Sequence, residues 1–425
     1  ETDGIMDDWH RDIGDLRSII FWRKMLKKIL ALLTIIALIV IFMYKDLYTR
    51  VTVLGTLFSG EEQYENLNRF YKFIDSSTLS PSSNPLNFKS SKTISLPSSF
   101  NFNDAVIGTE NFLQRTDTSA LLILQNGRIQ FEKYWLTGGE NVQWMSMSVA
   151  KSFISALVGI AIRDGHINNI EEAISDYVPE LKNSPYNNVR IKDVLQMSSG
   201  ASWNEDYSDP ESDINRWAKI FALGGSFDEF IQTLSDDFKP GTRNRYNSMD
   251  TQALGMLVNR ATGKTITNYM TEMLWHPMGA SNEGYWLLDS EGMEMAFAGL
   301  NITARDYAKF GELYRLDGKL NGQQIVPKSW VKDSITPDGP HLTPGDNPLS
   351  DYPLGYGYQW WVPGGDKGEF MAIGIYNQMI YVAPESNMVI VKLSANSSYG
   401  TAEDTGIASE LETIEFFRAI ANKSL

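Results

Sequence analysis

An uninterrupted apolar run near the N-terminus is the strongest hydropathy feature of the chain. Residues 29–44 read ILALLTIIALIVIFMY, and Lys28 and Lys45 flank the run. A globular helix normally carries a polar face, and this run has none, so the pattern predicts a membrane-spanning helix over residues 29–45. The two lysines can reach the interfaces and extend the span. The lipid bilayer is therefore one expected partner, through residues 29–45.

Basic residues are unequally distributed on the two sides of this run. Residues 17–28 contain five Lys and Arg residues, whereas residues 45–50 contain two. The more basic flank stays in the cytoplasm, so residues 1–28 are expected to be cytoplasmic and the C-terminal bulk to be exported to a periplasmic or extracellular side. No clear small-residue cleavage site follows the run, which favours an uncleaved, single-pass anchor.

The rest of the chain divides into a weakly patterned and a strongly patterned part. Residues 46–115 include a stretch rich in Ser, Pro and Asn and predict a stalk and a lead-in to the domain. Residues 116–425 predict one large domain with strands near its two ends and helices between them. Its elements are strands at 119–125 and 128–134 around an Asn-Gly turn, a helix at 148–163, strands at 357–362, 370–374, 378–382 and 388–393, and a helix at 410–422.

Composition removes several classes of chemistry. The 425-residue chain has a net charge of -15, which argues against nucleic acid as a partner. It has no cysteine, so thiolate nucleophiles, Cys-bound zinc and iron–sulfur clusters are excluded. It has four histidines, and none of them are paired at a metal-ligand spacing. We expect no metal and no cofactor, and a general base that is not histidine.

A Ser-x-x-Lys tetrad, Ser148 to Lys151, opens the helix at 148–163. Residues three apart share one face of a helix, so the Lys ammonium lies beside the Ser hydroxyl. A lysine whose pKa is lowered by burial can take the Ser proton. A second tetrad, Ser329 to Lys332, lies in a polar connection behind Pro327, and its context is weaker.

The candidate for a second proton-transfer group is Tyr246, which follows a Pro-Gly turn and precedes an apolar helix. A phenol can shuttle a proton to a leaving group, and a nearby cation such as Lys151 is expected to lower its pKa. Tyr64 and Tyr186 head rival triplets, in the stalk and in a polar loop.

The strand at 370–374 ends in Gly374, which allows close approach of a substrate to the backbone. If this strand forms the edge of the site, the backbone N–H of Ile375 and that of Ser148 can together stabilise an oxyanion.

These motifs, in this order, resemble the serine β-lactamases and penicillin-binding proteins, most of all class C β-lactamases, family VIII carboxylesterases and 6-aminohexanoate-dimer hydrolases. The resemblance covers about residues 118–420. It rests on Ser148–Lys151, Val194–Gly200, Asn204–Tyr207, Pro240-Gly241, Tyr246–Asp250, Gly355–Trp361 and Met371–Gly374. It implies an α/β (α+β) fold of the β-lactamase/DD-peptidase type, with a mostly antiparallel sheet, flanking helices and a helical sub-domain. It also implies acyl transfer through a Ser ester, without a metal.

The chain departs from the β-lactamase pattern at two places. Ala372-Ile373-Gly374 stands where K-T-G is usual, and Ser248 stands where class C enzymes carry Asn. The missing basic residue weakens a penicillinase or cell-wall role and favours the esterase and amidase branch. That branch implies a substrate pocket lined by Tyr207 and by Trp360 or Trp361, with Ser248 bonded near the Ser–Lys–Tyr group.

The sequence therefore predicts a membrane-anchored, exported serine hydrolase that cleaves a small ester or short amide. Two alternatives remain: a DD-peptidase or β-lactamase, and a non-catalytic tethered module of the same fold. A Ser-His-Asp hydrolase is disfavoured, since no G-x-S-x-G elbow is present. The sequence does not indicate an oligomeric state.

Overall fold

The computed structural model describes residues 3–56, 63–91, 93–401 and 404–423. The chain forms two units, one ending at Thr52 and the other beginning at Val53. The first unit is most of a single long helix, and the second contains all the sheets described below.

The helices are numbered α1 to α13 in chain order. They are α1 (Asp3–Thr56), α2 (Gln63–Asn66), α3 (Thr109–Arg115), α4 (Ala150–Arg163), α5 (Ile174–Tyr177), α6 (Ile191–Leu195), α7 (Asp213–Ala222), α8 (Phe227–Ile231), α9 (Ser248–Thr262), α10 (Ile266–Met270), α11 (Ala304–Arg315), α12 (Lys328–Ser334) and α13 (Ile407–Lys423).

The strands are numbered β1 to β16 in the same way. They are β1 (Ser76–Leu79), β2 (Lys89–Ser90), β3 (Ser99–Phe102), β4 (Ala105–Gly108), β5 (Thr118–Gln125), β6 (Arg128–Tyr134), β7 (Trp144–Met145), β8 (Gly284–Leu287), β9 (Leu300–Ile302), β10 (Lys319–Leu320), β11 (Gln323–Gln324), β12 (Gly355–Tyr356), β13 (Trp361–Val362), β14 (Phe370–Gly374), β15 (Gln378–Ala383) and β16 (Met388–Ser394).

A large sheet forms the centre of the second unit. Its order in the described residues is β12-β13-β14-β15-β16-β5-β6-β2. All neighbours are antiparallel except β2 and β6, which run parallel. A second sheet has the order β1-β8-β9-β7, and two hairpins pair β3 with β4 and β10 with β11. The mostly antiparallel sheet expected from the sequence is confirmed.

Both faces of the large sheet are covered. Along β5, Leu122 and Leu124 pack into a core shared with α4, α9 and α11, whereas Leu121 and Ile123 pack into a second core with α3 and α13. Alternate side chains of a strand point to opposite faces, so a strand buried on both faces reads as a continuous apolar run. This explains the unbroken apolar stretch at 120–124.

The hairpin that precedes the site has the turn its sequence predicts. Asn126 and Gly127 both have positive φ, at 52° and 69°, and Gln125 pairs with Arg128. A two-residue turn of this kind suits Asn-Gly because both residues tolerate the left-handed conformation. The two predicted strands of this hairpin, and the order of hairpin and apolar helix, are confirmed.

Two parts of the chain differ from their expected structure. Residues 357–362 were expected to form a strand, but only Trp361 and Val362 do, because Gln359 has a φ of +61° and the chain turns back to pair β12 with β13. The middle of the domain, where helices were expected between the strands at its two ends, also contains β8 and β9 of the second sheet.

The packed unit includes much of the segment expected to be a stalk and a lead-in. Leu67 and Phe70 are fully buried in the main core, and β1 and β2 add strands to the two sheets. In the described chain, compact packing has therefore begun by residue 63 and not only near 116. The few apolar residues that do this lack a regular period, which is why their sequence resembles a linker.

The first unit presents an exposed apolar surface. Within α1, Ile20–Phe42 has a mean hydropathy of 2.5, and none of it is buried. At 1.5 Å per residue, these 23 residues are long enough for a hydrocarbon layer of about 30 Å. The stretch starts earlier than the span expected at 29–45 and overlaps it from 29 to 42. Its length, composition and position suit either a membrane anchor or a signal sequence.

Candidate active site

The Ser148 hydroxyl lies at the start of a buried helix. A short 3₁₀ turn, Met147–Val149, leads into α4, and Ser148 is 8% exposed while Lys151 is 2% exposed. The first turn of a helix carries free N–H groups and a positive potential. This location can therefore stabilise negative charge that develops beside Ser148.

Lys151 donates hydrogen bonds to three oxygen atoms. Its Nζ lies 2.9 Å from Oγ of Ser148, 3.2 Å from Oγ of Ser248 and 3.0 Å from the carbonyl oxygen of Phe297. An ammonium group has three donors, so each one has an acceptor. These contacts fix the amine next to the candidate nucleophile.

Burial lowers the pKa of Lys151 to about 7, and the nearby carboxylate of Glu205 raises it, by less. Desolvation disfavours the charged form of an amine, which explains the direction. A substantial fraction of Lys151 is therefore neutral near pH 7, and a neutral amine can accept the Ser148 proton.

Tyr246 precedes α9, whose N-cap is Asn247: the Asn247 side chain accepts a hydrogen bond from the N–H of Met249. The Tyr246 ring lies 5.0 Å from Nζ of Lys151, and the Ser148 side chain interacts with the Tyr246 hydroxyl and acts to lower its pKa. Burial raises the pKa of Tyr246 well above its usual value, and Glu205 adds to the rise. This direction is the opposite of the one expected from the sequence. The phenol is therefore protonated at rest.

Ser248 connects the lysine to a carboxylate. Its hydroxyl donates to Glu205 at 2.7 Å while it accepts from Lys151, and its N–H donates to the other Glu205 oxygen at 3.2 Å. Trp203 also donates to Glu205 through its indole N–H. Glu205 is thus held by several donors, one of which links it to Lys151.

The end of β14 lies against the backbone of Ser148. A Cβ on Gly374 would lie 2.9 Å from the Ser148 nitrogen and 2.8 Å from the Ser146 carbonyl oxygen, so glycine is required by space. Ile375 follows and lines the same cavity as Ser148. The structure thus brings the two predicted oxyanion donors, Ser148 and Ile375, to one cavity wall.

Backbone strain flanks this contact on both sides. Met147, just before Ser148, has a φ of +45°, and Tyr376, just after Ile375, has a φ of +63°. Residues with side chains rarely adopt this conformation, which costs free energy and is found most often at functional sites.

A cavity of about 380 Å³ opens beside Ser148. Tyr207 lines it, as expected, and donates a hydrogen bond to Glu205 at 3.1 Å. The loop that carries Tyr207 is fixed by Asn215 of α7, whose amide donates to the carbonyls of Tyr207 and Asp209 at 3.1 and 2.8 Å.

The two tryptophans expected in the pocket lie elsewhere. Trp360 is fully buried and packs on Tyr314 and Phe370, at centroid distances of 4.4 and 5.3 Å, because the turn at Gln359 directs it into the core. Trp361 stacks on Tyr246 at 5.6 Å. Neither lines the cavity in the described residues, and Trp361 supports Tyr246 instead.

The rival motifs have other surroundings. Ser329 and Lys332 lie exposed on α12. Tyr186 is fully buried, and its hydroxyl donates to Asp250 at 2.9 Å. Tyr64 packs at the edge of the main core.

Two contributors to the site were not identified from the sequence. Glu205 lies within the stretch Asn204–Tyr207, of which only Tyr207 was assigned a role. The Phe297 carbonyl could not be identified at all, because a backbone oxygen has no sequence signal. The sequence offered one indication of Glu205: it is a polar residue two positions before Tyr207, which was expected to line the pocket.

Comparisons with known proteins agree with this architecture. A model of the beta-lactamase family matches residues 109–410. A 6-aminohexanoate-dimer hydrolase from Paenarthrobacter ureafaciens is 30% identical over 294 residues, which are 67% of this chain and 74% of the relative. The solved structure of a Bacillus anthracis protein, provisionally described as a 6-aminohexanoate-dimer hydrolase, has a TM-score of 0.76 at 23% identity and covers 87% of this chain and 96% of its own. The structure of EstCE1, a hydrolase with promiscuous acyltransferase activity, has a TM-score of 0.56 at 14% identity, with coverages of 73% and 99%.

The fold and these matches define a serine hydrolase with a β-lactamase/penicillin-binding-protein architecture. The chain belongs to the beta-lactamase family.

Proposed function

We propose that this protein is a membrane-anchored hydrolase that cleaves an ester or a short amide through an acyl-enzyme on Ser148, with Lys151 and Tyr246 as proton-transfer groups. The observation that carries the proposal is the 2.9 Å contact between Nζ of a desolvated Lys151, whose pKa is about 7, and Oγ of Ser148. This is the geometry that a general base requires.

The reaction has two halves. Neutral Lys151 takes the proton of Ser148 while Oγ attacks the substrate carbonyl, and the resulting oxyanion faces the N–H groups of Ser148 and Ile375. The leaving alcohol or amine takes its proton from Tyr246, and Lys151 returns a proton to the phenolate. Water then attacks the acyl-enzyme with the same groups acting in reverse, which releases the acid and restores Ser148.

Glu205 completes this group as a positioning residue. It holds the Ser248 hydroxyl, which in turn accepts from Lys151. Tyr207 and Gly374 belong to the substrate side: Tyr207 lines the cavity, and Gly374 lets the substrate approach the strand edge.

The membrane anchor is proposed from the first unit. Residues 29–42 are common to the span expected from sequence and the exposed stretch Ile20–Phe42. The basic residues before them favour a cytoplasmic N-terminus and an exported hydrolase unit.

The test uses the full-length protein in lipid nanodiscs, wild type beside Ser148→Ala. Short esters, the linear 6-aminohexanoate dimer and a penicillin are assayed for turnover, and intact mass detects the acyl-enzyme. Turnover with an adduct that depends on Ser148 supports the proposal. An adduct with penicillin but no turnover of the esters or the amide favours the cell-wall alternative. A folded wild type without turnover or adduct supports the non-catalytic module and refutes the proposal.

A further inference from the structure

The cavity beside Ser148 has a preformed apolar wall. The helix α7 contributes Ile214, Trp217 and Phe221, and the segment before β9 contributes Met295 and Phe297. These side chains are at most 7% exposed. The Trp217 ring lies 4.8 Å from that of Phe297 and 5.4 Å from that of Phe221. Such close ring packing holds the wall in one shape.

No charged side chain lines this cavity in the part of the chain that the structure describes. Several of its polar groups are already engaged within the protein. The Asn215 amide holds the Tyr207 loop, the Tyr207 hydroxyl donates to Glu205, and the Tyr399 hydroxyl donates to Glu410 at 2.6 Å. The neighbouring strand edge, Ala372-Ile373-Gly374, supplies no cation either.

These features select against charge on the bound part of a substrate. An ionised group held against this apolar wall loses its hydration and meets no charged side chain on the cavity lining, which is unfavourable. An apolar chain gains from burial, by roughly fourfold in affinity for each fully buried methylene.

We propose that the substrate is an uncharged ester or amide whose acyl arm is an apolar chain or ring of several carbons, held in this cavity. This inference rests on the proposed function, because it assigns the acyl arm to the space beside Ser148. It predicts that the enzyme discriminates between substrates by the length of the acyl chain and by whether the end of that chain is charged.

The first experiment compares methyl esters, so that the leaving group is small and constant. Full-length protein in nanodiscs is assayed by pH-stat with methyl acetate, butanoate and octanoate, and with monomethyl suberate. The last has the eight-carbon chain of the octanoate with a carboxylate at its end. We expect kcat/KM for octanoate to exceed that for acetate by about tenfold or more, and suberate to fall at least tenfold below octanoate.

A second experiment fills the cavity. Ala218, on α7, lines it, whereas Leu223, which directly follows the same helix, is 70% exposed and does not. Ala218→Phe is expected to lower the octanoate-to-acetate ratio about tenfold, while Leu223→Phe leaves the ratio unchanged. Partition of the esters into lipid cancels when the ratio is compared between variants. If Ala218→Phe fails to fold, the smaller substitution Ala218→Val is tested instead, and the same octanoate-to-acetate ratio is measured.

The outcomes separate this inference from the proposed function. If none of these esters, nor the amide, is turned over in a Ser148-dependent manner, the proposed function fails. The apolar-acyl inference alone is overturned if turnover depends on Ser148 but acetate or suberate is preferred, or if the amide, whose acyl arm ends in an ammonium group, is turned over. It is also overturned if Ala218→Phe and Leu223→Phe behave alike.

Discussion

Lys151 and Lys392 are both buried beside serine hydroxyls, but of the two serines only the partner of Lys151 lines the cavity described above. Lys151 donates to Ser148 and Ser248 at the start of α4, and Lys392 donates to Ser394 on β16. Burial lowers the pKa of each lysine to about 7. Judged only by the residue types in the pair and by the pKa of the lysine, the Lys151–Ser148 and Lys392–Ser394 pairs are nearly equivalent.

Their surroundings differ in what a substrate could reach. Ser148 lines the cavity of about 380 Å³, with Gly374 and Ile375 at its edge. Lys392 and Ser394 are fully buried. Lys392 lies 5.4 Å from the ring of Phe112.

The charges around the two amines also differ. Lys151 has Glu205 nearby, through Ser248, whereas Lys392 interacts with Arg115, Asp117, Glu412 and Asp404. A perturbed lysine next to a serine is therefore insufficient to define a site. Access and a place for the oxyanion distinguish the catalytic candidate from a structural group.

The largest expected effect separates these two pairs directly. Lys151→Ala is expected to lower kcat by about 10²–10⁴-fold, because the base is lost, and Ser148→Ala to abolish acyl-enzyme formation. Ser394→Ala is the matched control and should retain near wild-type kcat. Ester hydrolysis and intact mass measure both. Near wild-type turnover in a folded Lys151→Ala variant would rule out the lysine base.

The next effect concerns the phenol. Tyr246→Phe is expected to slow turnover by about 10²-fold, since the leaving group loses its proton donor. Tyr186→Phe keeps a comparable ring in the core and removes the hydroxyl that donates to Asp250 and accepts from Asn247, bonds that do not involve Ser148 or Lys151, so activity should change little. Single-turnover kinetics on the two variants checks this. If Tyr186→Phe were the more damaging change, Tyr246 would not be the proton donor.

A smaller effect is expected in the pH profile. The rate requires neutral Lys151, so kcat/KM should rise with pH around an apparent pKa of about 7. Glu205 raises the pKa of Lys151, so Glu205→Gln should move this rise to lower pH. The amide oxygen can still accept from the Ser248 hydroxyl, which keeps the link to Lys151. A profile that is unchanged, or that moves to higher pH, would contradict the role of Glu205.

The smallest effect on activity is expected at the second lysine, where the readout is stability. The pKa of Lys392 is about 7 in the folded protein and 10.5 in its ordinary state. Between these values the unfolded state binds more protons, so the free energy of unfolding rises with pH. Lys392→Met should reduce this slope by up to about 1.4 kcal/mol per pH unit between pH 7 and 9. Denaturant unfolding measures it, and an unchanged slope would refute the shifted pKa.

Much of the fold was accessible from the sequence because its signals are local. The Asn126-Gly127 turn, the apolar helix after Ser148 and β14 each follow from residues within one element. The second sheet was not accessible. Its strands β1, β7, β8 and β9 are two to four residues long and come from distant parts of the chain, so no periodic run marks them.

The candidate site divides in the same way. Ser148 and Lys151 are three residues apart on one turn, and their contact follows from helix geometry. The positions of Glu205, Phe297 and Trp361 depend on tertiary packing. The sequence predicts a lowered pKa for Tyr246, whereas the structure raises it. Burial and the carboxylate of Glu205 cause the rise, and both depend on the folded structure because Glu205 is far from Tyr246 in sequence.

The contact between Gly374 and the Ser148 backbone makes position 374 diagnostic for natural variation. Any side chain there would overlap the nitrogen of Ser148 or the carbonyl of Ser146, so the strand and the nucleophile segment would have to separate. A related chain that keeps the Ser, Lys and Tyr but carries another residue at this position should be folded and hydrolytically silent. The residue type at position 374 alone should therefore distinguish active enzymes of this fold from relatives that have lost catalysis.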